Sequence, residues 1–403
     1  SFYPPRAGSS LRFDICLFTF VFLLLSFIFI TLSSSSLHII TLNIPYPPDY
    51  GGMIDTFYRI KALSEIGIGI HLHCFEYGRE HSPETESLCH TVNYYPRRTG
   101  LSAQMSTVPY TVSSRRSKSL INNLLTDDLP ILFDGLHSTF CLDHPELKNR
   151  KMLVRLHNVE HLYYKALADN EKNLIRKMFF MCEASKLRSW EKILENASYL
   201  LTISGQDQNY YKNKYDNAIM LPPFHPFTDI SSKTGIGDYI IYHGDLSVNE
   251  NEAMASFLVT DVFPFVPYPC VIAGKNPSSR LIARASKHKN ISVISNPDNI
   301  HMNRLITDAH INLLPSISFN GFKLKLLIAM FSGRHCIVNK LVAEKTPFPG
   351  MFHVSENKKD MIDQINRLMK VPFTNTIIGE RNDLLMKDFN NRTNAEKLAE
   401  FLS

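Results

Sequence analysis

The stretch from Ile311 to Asn339 constrains the fold of this chain more than any other. Ile311-Asn312-Leu313-Leu314-Pro315 reads as a short apolar strand. Ser316 to Gly321 make a polar turn, and an apolar helix is expected from about Phe322 to Gly333. The glycine there predicts a left-handed C-cap. His335-Cys336-Ile337-Val338-Asn339 is the next strand. Such a βαβ unit places its loop at the carboxyl end of a strand, where open α/β sheets bind ligands. Backbone N–H groups at the helix start, with Lys323 and Lys325 beside them, suit a diphosphate.

The same rhythm runs through the rest of the chain. Strands are expected at Leu37–Leu42, Ile70–Phe75, Pro130–Gly135, Lys151–Leu156 and Ser198–Ile203. After Leu221-Pro222-Pro223-Phe224-His225-Pro226, a proline-rich break read as a linker, they resume at Tyr239–Gly244, Cys270–Lys275, Ile291–Ile294 and Met351–Val354. Amphipathic segments between them predict helices, one of them unbroken from Glu171 to Asn196. The alternation predicts mostly parallel sheets covered on both faces. With 403 residues, two domains are expected.

Three loops at strand ends carry polar or glycine-rich signals. Asn43 to Gly52 holds three prolines, and Gly51 and Gly52 let the backbone approach a ligand. His157-Asn158-Val159-Glu160 caps the strand ending at Leu156. Its residue types equally make a helix start, with Asn158 as N-cap and Glu160 in the first turn. Gly244 ends the first strand of the second half, and Ser204 is placed as an N-cap.

Taken together, Gly321-Phe322-Lys323-Leu324-Lys325-Leu326-Leu327, Ala329-Met330 and Gly333, the Pro-Pro-x-x-Gly-Gly loop and His157-Asn158-x-Glu160 resemble GT-B glycosyltransferases of the family 4 type over residues 37–403. The resemblance implies α/β architecture: two Rossmann-like domains whose parallel sheets face each other across a cleft. It divides the chain into an acceptor domain at 37–222, a donor-binding domain at 223–385 and a C-terminal helix at 386–403 crossing back to the first domain. It implies transfer, with retention, from a nucleotide-sugar to a glycan or lipid-linked acceptor, in the cytoplasm or at the inner face of the membrane, in cell-surface polysaccharide synthesis. His157 would contact the donor sugar or its phosphate. Asn158, Glu160 and Ser204 would support it, and Gly51, Gly52, Gly244, Asn320, Gly321, Phe322, Lys323 and Lys325 would hold the donor. The chain departs from the family's Glu-x7-Glu pair, with Asn320 and Ile328 at its two positions, and Asp245 stands where a basic residue is common. Those departures keep open a catalytically impaired member that binds a glycan or partner; another GT-B enzyme, such as an epimerase, is a further reading.

No Asp-x-Asp pair or zinc-ligand spacing occurs, so no metal or other cofactor is expected. Seven scattered cysteines without a Cys-x-x-Cys pair predict reduced, mostly buried thiols. A net charge of +5 does not call for nucleic acid. That charge is matched by one segment: Thr91 to Thr126 carries Arg97, Arg98, Arg115, Arg116 and Lys118 and no acid. With interleaved Leu101, Met105, Val108 and Tyr110, it reads as an anionic-acceptor or peripheral membrane surface, or as a solvated loop. Residues 1–36 differ from the rest, with eighteen uncharged residues from Ile15 to Leu32. They are expected to be an extension outside the native fold; a signal anchor or a cleaved signal peptide are the other readings.

Overall fold

A computed structural model describes residues 36–100, 103, 105–317, 322–344, 346, 348 and 350–402. Residues 1–35 of the expected N-terminal extension, Leu101, Asn320 and Gly321 lie outside them. Among the described residues, no helix is long and apolar enough to cross a membrane.

Two parallel sheets form the molecule. The first contains β1 (Ser36–Thr41), β2 (Gly69–Glu76), β3 (Thr91–Pro96), β4 (Ile131–Asp134), β5 (Met152–Leu156), β6 (Tyr199–Thr202) and β7 (Ala218–Met220), in the order β3-β2-β1-β4-β5-β6-β7. The second contains β8 (Ile240–Asp245), β9 (Cys270–Lys275), β10 (Ile291–Ser295), β11 (Ile311–Leu313), β12 (His335–Asn339) and β13 (His353–Ser355), in the order β10-β9-β8-β11-β12-β13. Each order reverses beside its first strand, so a crevice opens at the carboxyl ends of β1 and β4 in one sheet and of β8 and β11 in the other. Strand burial explains the apolar runs: all five residues of β5 are buried, as expected for strands covered on both faces.

Seven helices matter for the site. They are α1 (Gly51–Glu65), α2 (Glu160–Asn170), α3 (Leu174–Trp190), α4 (Gly205–Lys212), α5 (Asn249–Phe257), α6 (Leu324–Ser332) and α7 (Asn391–Glu400). The expected helix from Glu171 to Asn196 is instead the second arm of a hairpin. Asn173 caps α3 by accepting from the N–H groups of Ile175 and Arg176, which starts a new helix three residues after α2 ends. A 3₁₀ segment, Glu191–Asn196, follows.

The helix of the opening βαβ unit begins at Leu324, with Lys323 at the N-cap. Gly333 is not left-handed; its backbone is extended, at φ −86° and ψ 166°. Glycine is required there by close packing, since a Cβ would lie 2.3 Å from Asn312 Nδ2 and 2.9 Å from the Ala329 carbonyl oxygen.

The chain passes between the sheets twice. Helix α7 returns to the first domain, where Ala395, Leu398 and Leu402 join a core containing Leu37, Ile39, Ile60 and Leu63. Full burial of a leucine stabilises by roughly 1.5–3 kcal/mol, so the return is a structural commitment. The two crossings are bound together. The His225 N–H donates to Asn391 Oδ1 at 3.2 Å, Asn391 Nδ2 donates to the His225 carbonyl at 2.6 Å, and His225 Nε2 lies 2.6 Å from the Phe389 carbonyl.

Candidate active site

On the first sheet, the tips of β4 and β5 bring acids and guanidinium groups together. Arg59 of α1 reaches Asp55 Oδ2 at 2.6 Å and Asp134 Oδ1 at 2.7 Å. Arg155 grips both oxygens of Asp55, at 2.8 and 3.0 Å. Thr56 donates to Asp134 Oδ2 at 2.6 Å. His157 Nε2 lies 3.0 Å from Asp134 Oδ1, so the ring donates there and Nδ1 is left toward Asp55 Oδ2, 3.9 Å away. Burial alone would raise the Asp134 carboxyl, but Arg59 and then His157 outweigh it and hold it below the usual range. At Asp55, Arg155 and Arg59 outweigh burial in the same way.

Asp55, Asp134 and His157 are close enough to hold a cation, with one ligand atom from each lying within 4.8 Å of the others. Two buried guanidinium groups already match both carboxylates, so the residues do not fit a further cation. The linker enters the same network: Arg155 donates to the carbonyls of Leu221 at 2.6 Å and Pro222 at 3.1 Å, and the Phe224 N–H donates to Asp55 Oδ1 at 2.8 Å.

On the second sheet, Lys323 Nζ lies 3.1 Å from Glu250 Oε1 at the start of α5. Ser316 Oγ donates to the same oxygen at 2.7 Å. Lys325 Nζ donates to Asn251 Oδ1 at 3.2 Å and sits 4.9 Å from the centre of the Tyr242 ring. Burial, with Lys323 nearby, pushes its ammonium down to about 8. A cation with little compensating charge is thus held at the strand tips.

The two halves meet. Lys275 Nζ at the end of β9 pairs with Asp49 Oδ2 of the first-domain loop at 2.8 Å, and Asp49 also pairs with Arg79. Ile54 of α1 packs against the cluster of Leu314 and Phe322. Tyr163, one turn into α2, has its phenol raised by burial, by Glu160 and by Glu250 of the opposite domain.

The remaining sequence-predicted residues divide. Gly51 and Gly52 form the first turn of α1, whose N-cap Tyr50 makes no side-chain cap. Gly244 lies against Gly274 so closely that a Cβ on Gly274 would fall 1.9 Å from the Gly244 carbonyl oxygen. Asp245 is used locally, accepting from the Ser247 N–H at 3.0 Å and hydroxyl at 2.6 Å. Asn158 is not the N-cap of α2; Val159 is, without a side-chain bond. Glu160 is buried in the first turn, 3.2 Å from His137 Nε2. Ser204 caps α4, accepting from the Asp207 N–H at 3.1 Å.

The ring of Phe322 lies 5.8 Å from that of Phe389 and 6.1 Å from that of Phe348. It is partly buried and packs against the cluster of Phe348 and Phe389. The basic segment also differs from the expected cationic face. Arg115 is buried and donates to the carbonyls of Leu42 and Thr111. Arg97 lies 4.3 Å from the Tyr77 ring and Arg116 4.6 Å from the Phe140 ring. Arg98 and Lys118 are the exposed members. The sequence reading missed Asp134, Asp55, Arg155, Glu250 and Asn251. Asp134 was signalled by its place at a strand tip; Glu250 and Asn251 were signalled by the polar start of α5.

With this geometry in view, the comparisons fix the fold. Residues 237–371 match the family model described as glycosyl transferases group 1. HepE from Anabaena, solved with UDP and glucose, superposes with a TM-score of 0.64 at 11% identity, covering 91% of this chain and 99% of that one. TarM gives 0.63 at 12% identity, covering 92% and 99%. The trehalose-6-phosphate synthase OtsA gives 0.60 at 11%, covering 91% and 99%. Residues 237–371 are thus similar to group 1 glycosyl transferases, and the described residues have the GT-B fold. A curated relative is an uncharacterized 44.6 kDa protein in the cps region of Klebsiella pneumoniae, 24% identical over 335 residues, or 76% of this chain and 84% of that protein.

Proposed function

We propose that this protein transfers a sugar from a nucleotide-activated donor to a glycan or lipid-linked acceptor in cell-surface polysaccharide synthesis, on the cytoplasmic side. The observation that carries the proposal is the opposition of two unlike surfaces. Lys323 and the partly buried Lys325 lie at the strand tips of one domain, and His157, held by Asp134, lies at those of the other. Charge develops on the diphosphate as the anomeric carbon–oxygen bond breaks, and fixed cations there stabilise the transition state more than the ground state. A bond forms from the same carbon to an acceptor oxygen, whose proton leaves on the departing phosphate, with retention of configuration. His157 contacts the donor sugar, and the backbone around Gly51, Gly52 and Gly244 leaves room for the donor. HepE and TarM have been solved with UDP, and the Klebsiella relative belongs to a cps region; both support the reading.

One observation favours a second reading. Ile328 lies partly buried in an apolar cluster where the family places an acid, so a member that binds without turnover is the alternative. Calorimetry and product analysis against UDP-, GDP- and dTDP-sugars test both. The transfer reading expects one donor to bind and to release free nucleoside diphosphate. Binding without release supports the alternative, and failure of every donor to bind at millimolar concentration overturns the first.

A further inference from the structure

We infer that Arg115, Arg97 and Thr111 form an oxyanion subsite on the first domain's wall of the cleft, and that the acceptor carries a phosphate or carboxylate near the hydroxyl that receives the sugar. Arg115 is 7% exposed. Its Nε and one terminal nitrogen donate to the Leu42 carbonyl at 3.1 and 3.0 Å, and the other terminal nitrogen donates to the Thr111 carbonyl at 2.5 Å. A guanidinium has five N–H donors; three are used here, and one on each terminal nitrogen is left. The group stays charged, and a buried charge without a counter-charge is costly. Arg97 adds to the imbalance. Its Nε donates to Ser114 Oγ at 3.1 Å, and its guanidinium lies 4.3 Å from the centre of the Tyr77 ring and 5.5 Å from that of Tyr110. Burial, and then the Arg97 charge, lower the basicity of Arg115. The Thr111 hydroxyl, on the residue whose carbonyl takes Arg115, is buried and makes no hydrogen bond among the described residues.

Donors are in surplus here and acceptors are short. From Thr91 to Thr126 the chain has no acid. Glu183, beyond Tyr110, is taken by Lys186 at 3.0 Å and by the Tyr110 N–H at 2.7 Å. The complement of such a cluster is a charged group that only accepts, and a guanidinium fork suits phosphate and carboxylate alike. Arg381 is also buried on carbonyls, those of Met330, Gly333 and Arg334. They lie at the C-terminal end of α6, where the helix itself supplies negative charge. Arg115 has no such end beside it; it has a second cation. Position assigns the anion to a substrate. Leu42 directly follows β1, in the crevice between β1 and β4. The phenol of Tyr50 feels the opposed charges of Asp134 and Arg115, so it lies between the cluster and the carboxylate that holds His157. The donor diphosphate has its cations, Lys323 and Lys325, on the other domain. Assigning the anion to the acceptor rests on the transfer reading; the anion subsite itself does not.

Ligand-observed NMR on the full chain, with no nucleotide present, compares glucose 6-phosphate, glucuronate and glucose as probes. At millimolar concentration at least one anionic sugar should bind and glucose should not, and added salt should weaken the binding. The better bound of the two names the group as phosphate or carboxylate. Arg97→Gln, at a partly exposed position, should weaken binding on the order of tenfold, as for a charged hydrogen bond. Thr111→Val should weaken it several-fold while leaving Arg115 in place, and an unchanged melting temperature shows that both variants are folded. Lys323→Met with Lys325→Met should leave probe binding as it was. Equal binding of the three sugars, binding of none, or an affinity unmoved by Arg97→Gln and Thr111→Val overturns the subsite. So does loss of binding in the double lysine variant, which moves the anion to the other domain. Probe binding in a chain that binds no nucleotide-sugar keeps the subsite and overturns its assignment to an acceptor.

Discussion

Lys325 should make donor binding a proton-linked event. Burial, with Lys323 nearby, pushes its ammonium down to about 8 from an ordinary value of 10.5. Holding the charge in the empty site therefore costs about 3 kcal/mol. A donor diphosphate brings the missing counter-charge and restores the lysine's normal basicity. At pH 9 about nine-tenths of the empty sites carry a neutral lysine, so binding should take up about 0.9 proton; at pH 7 it should take up about 0.1. Affinity should fall as pH rises through 8, approaching tenfold per unit. Calorimetry in buffers of different ionisation enthalpy reads the proton number directly. Lys325→Met should abolish the uptake and weaken binding by roughly 1.5–3 kcal/mol at pH 7, the range for a charged hydrogen bond. Equal proton uptake in wild type and Lys325→Met, or no uptake in either between pH 7 and 9, would refute the reasoning.

Two further predictions concern stability. Asp55→Asn removes the charge shared by Arg59 and Arg155; breaking such a buried pair costs about 3–5 kcal/mol, and a loss under 1 kcal/mol in urea unfolding would contradict the network. His73, His225 and His243 are buried, and burial lowers them to about 3, 4 and 3. They stay neutral in the folded chain where the unfolded chain takes up protons. Stability should therefore be whole above pH 6.5 and fall as pH drops toward 4, by up to about 1.4 kcal/mol per unit for each; flat unfolding free energies between pH 7 and 5 would exclude this.

The strands were legible because burial on both faces writes itself as an apolar run. Cys270 to Lys275 was read to the residue. What escaped the sequence depends on partners far along the chain. Lys323 meets Glu250 across 73 residues, and Arg155 meets Asp55 across 100. No local pattern records such pairs. The basic segment misled for a related reason: a row of arginines has the same spelling whether it faces solvent or, as with Arg115, donates to backbone carbonyls inside. The break before α3 was written in Asn173, but an asparagine within an otherwise helical run signals a cap only when the turn before it is known.

The mutual hydrogen bonds of His225 and Asn391 bear on how the cleft can open. A polypeptide joining two bodies at one point lets them swing in any direction. Joined at two distant points, they are confined to one axis. Here the two passages are stitched side by side, so they act as a single pivot with a grip on both strands. Motion at that pivot pulls on Leu221 and Pro222, whose carbonyls hang from Arg155, and Arg155 shares Asp55 with the α1 helix beneath His157. The joint is therefore linked to His157 by four side chains, Arg155, Asp55, Arg59 and Asp134, rather than through the sheet alone.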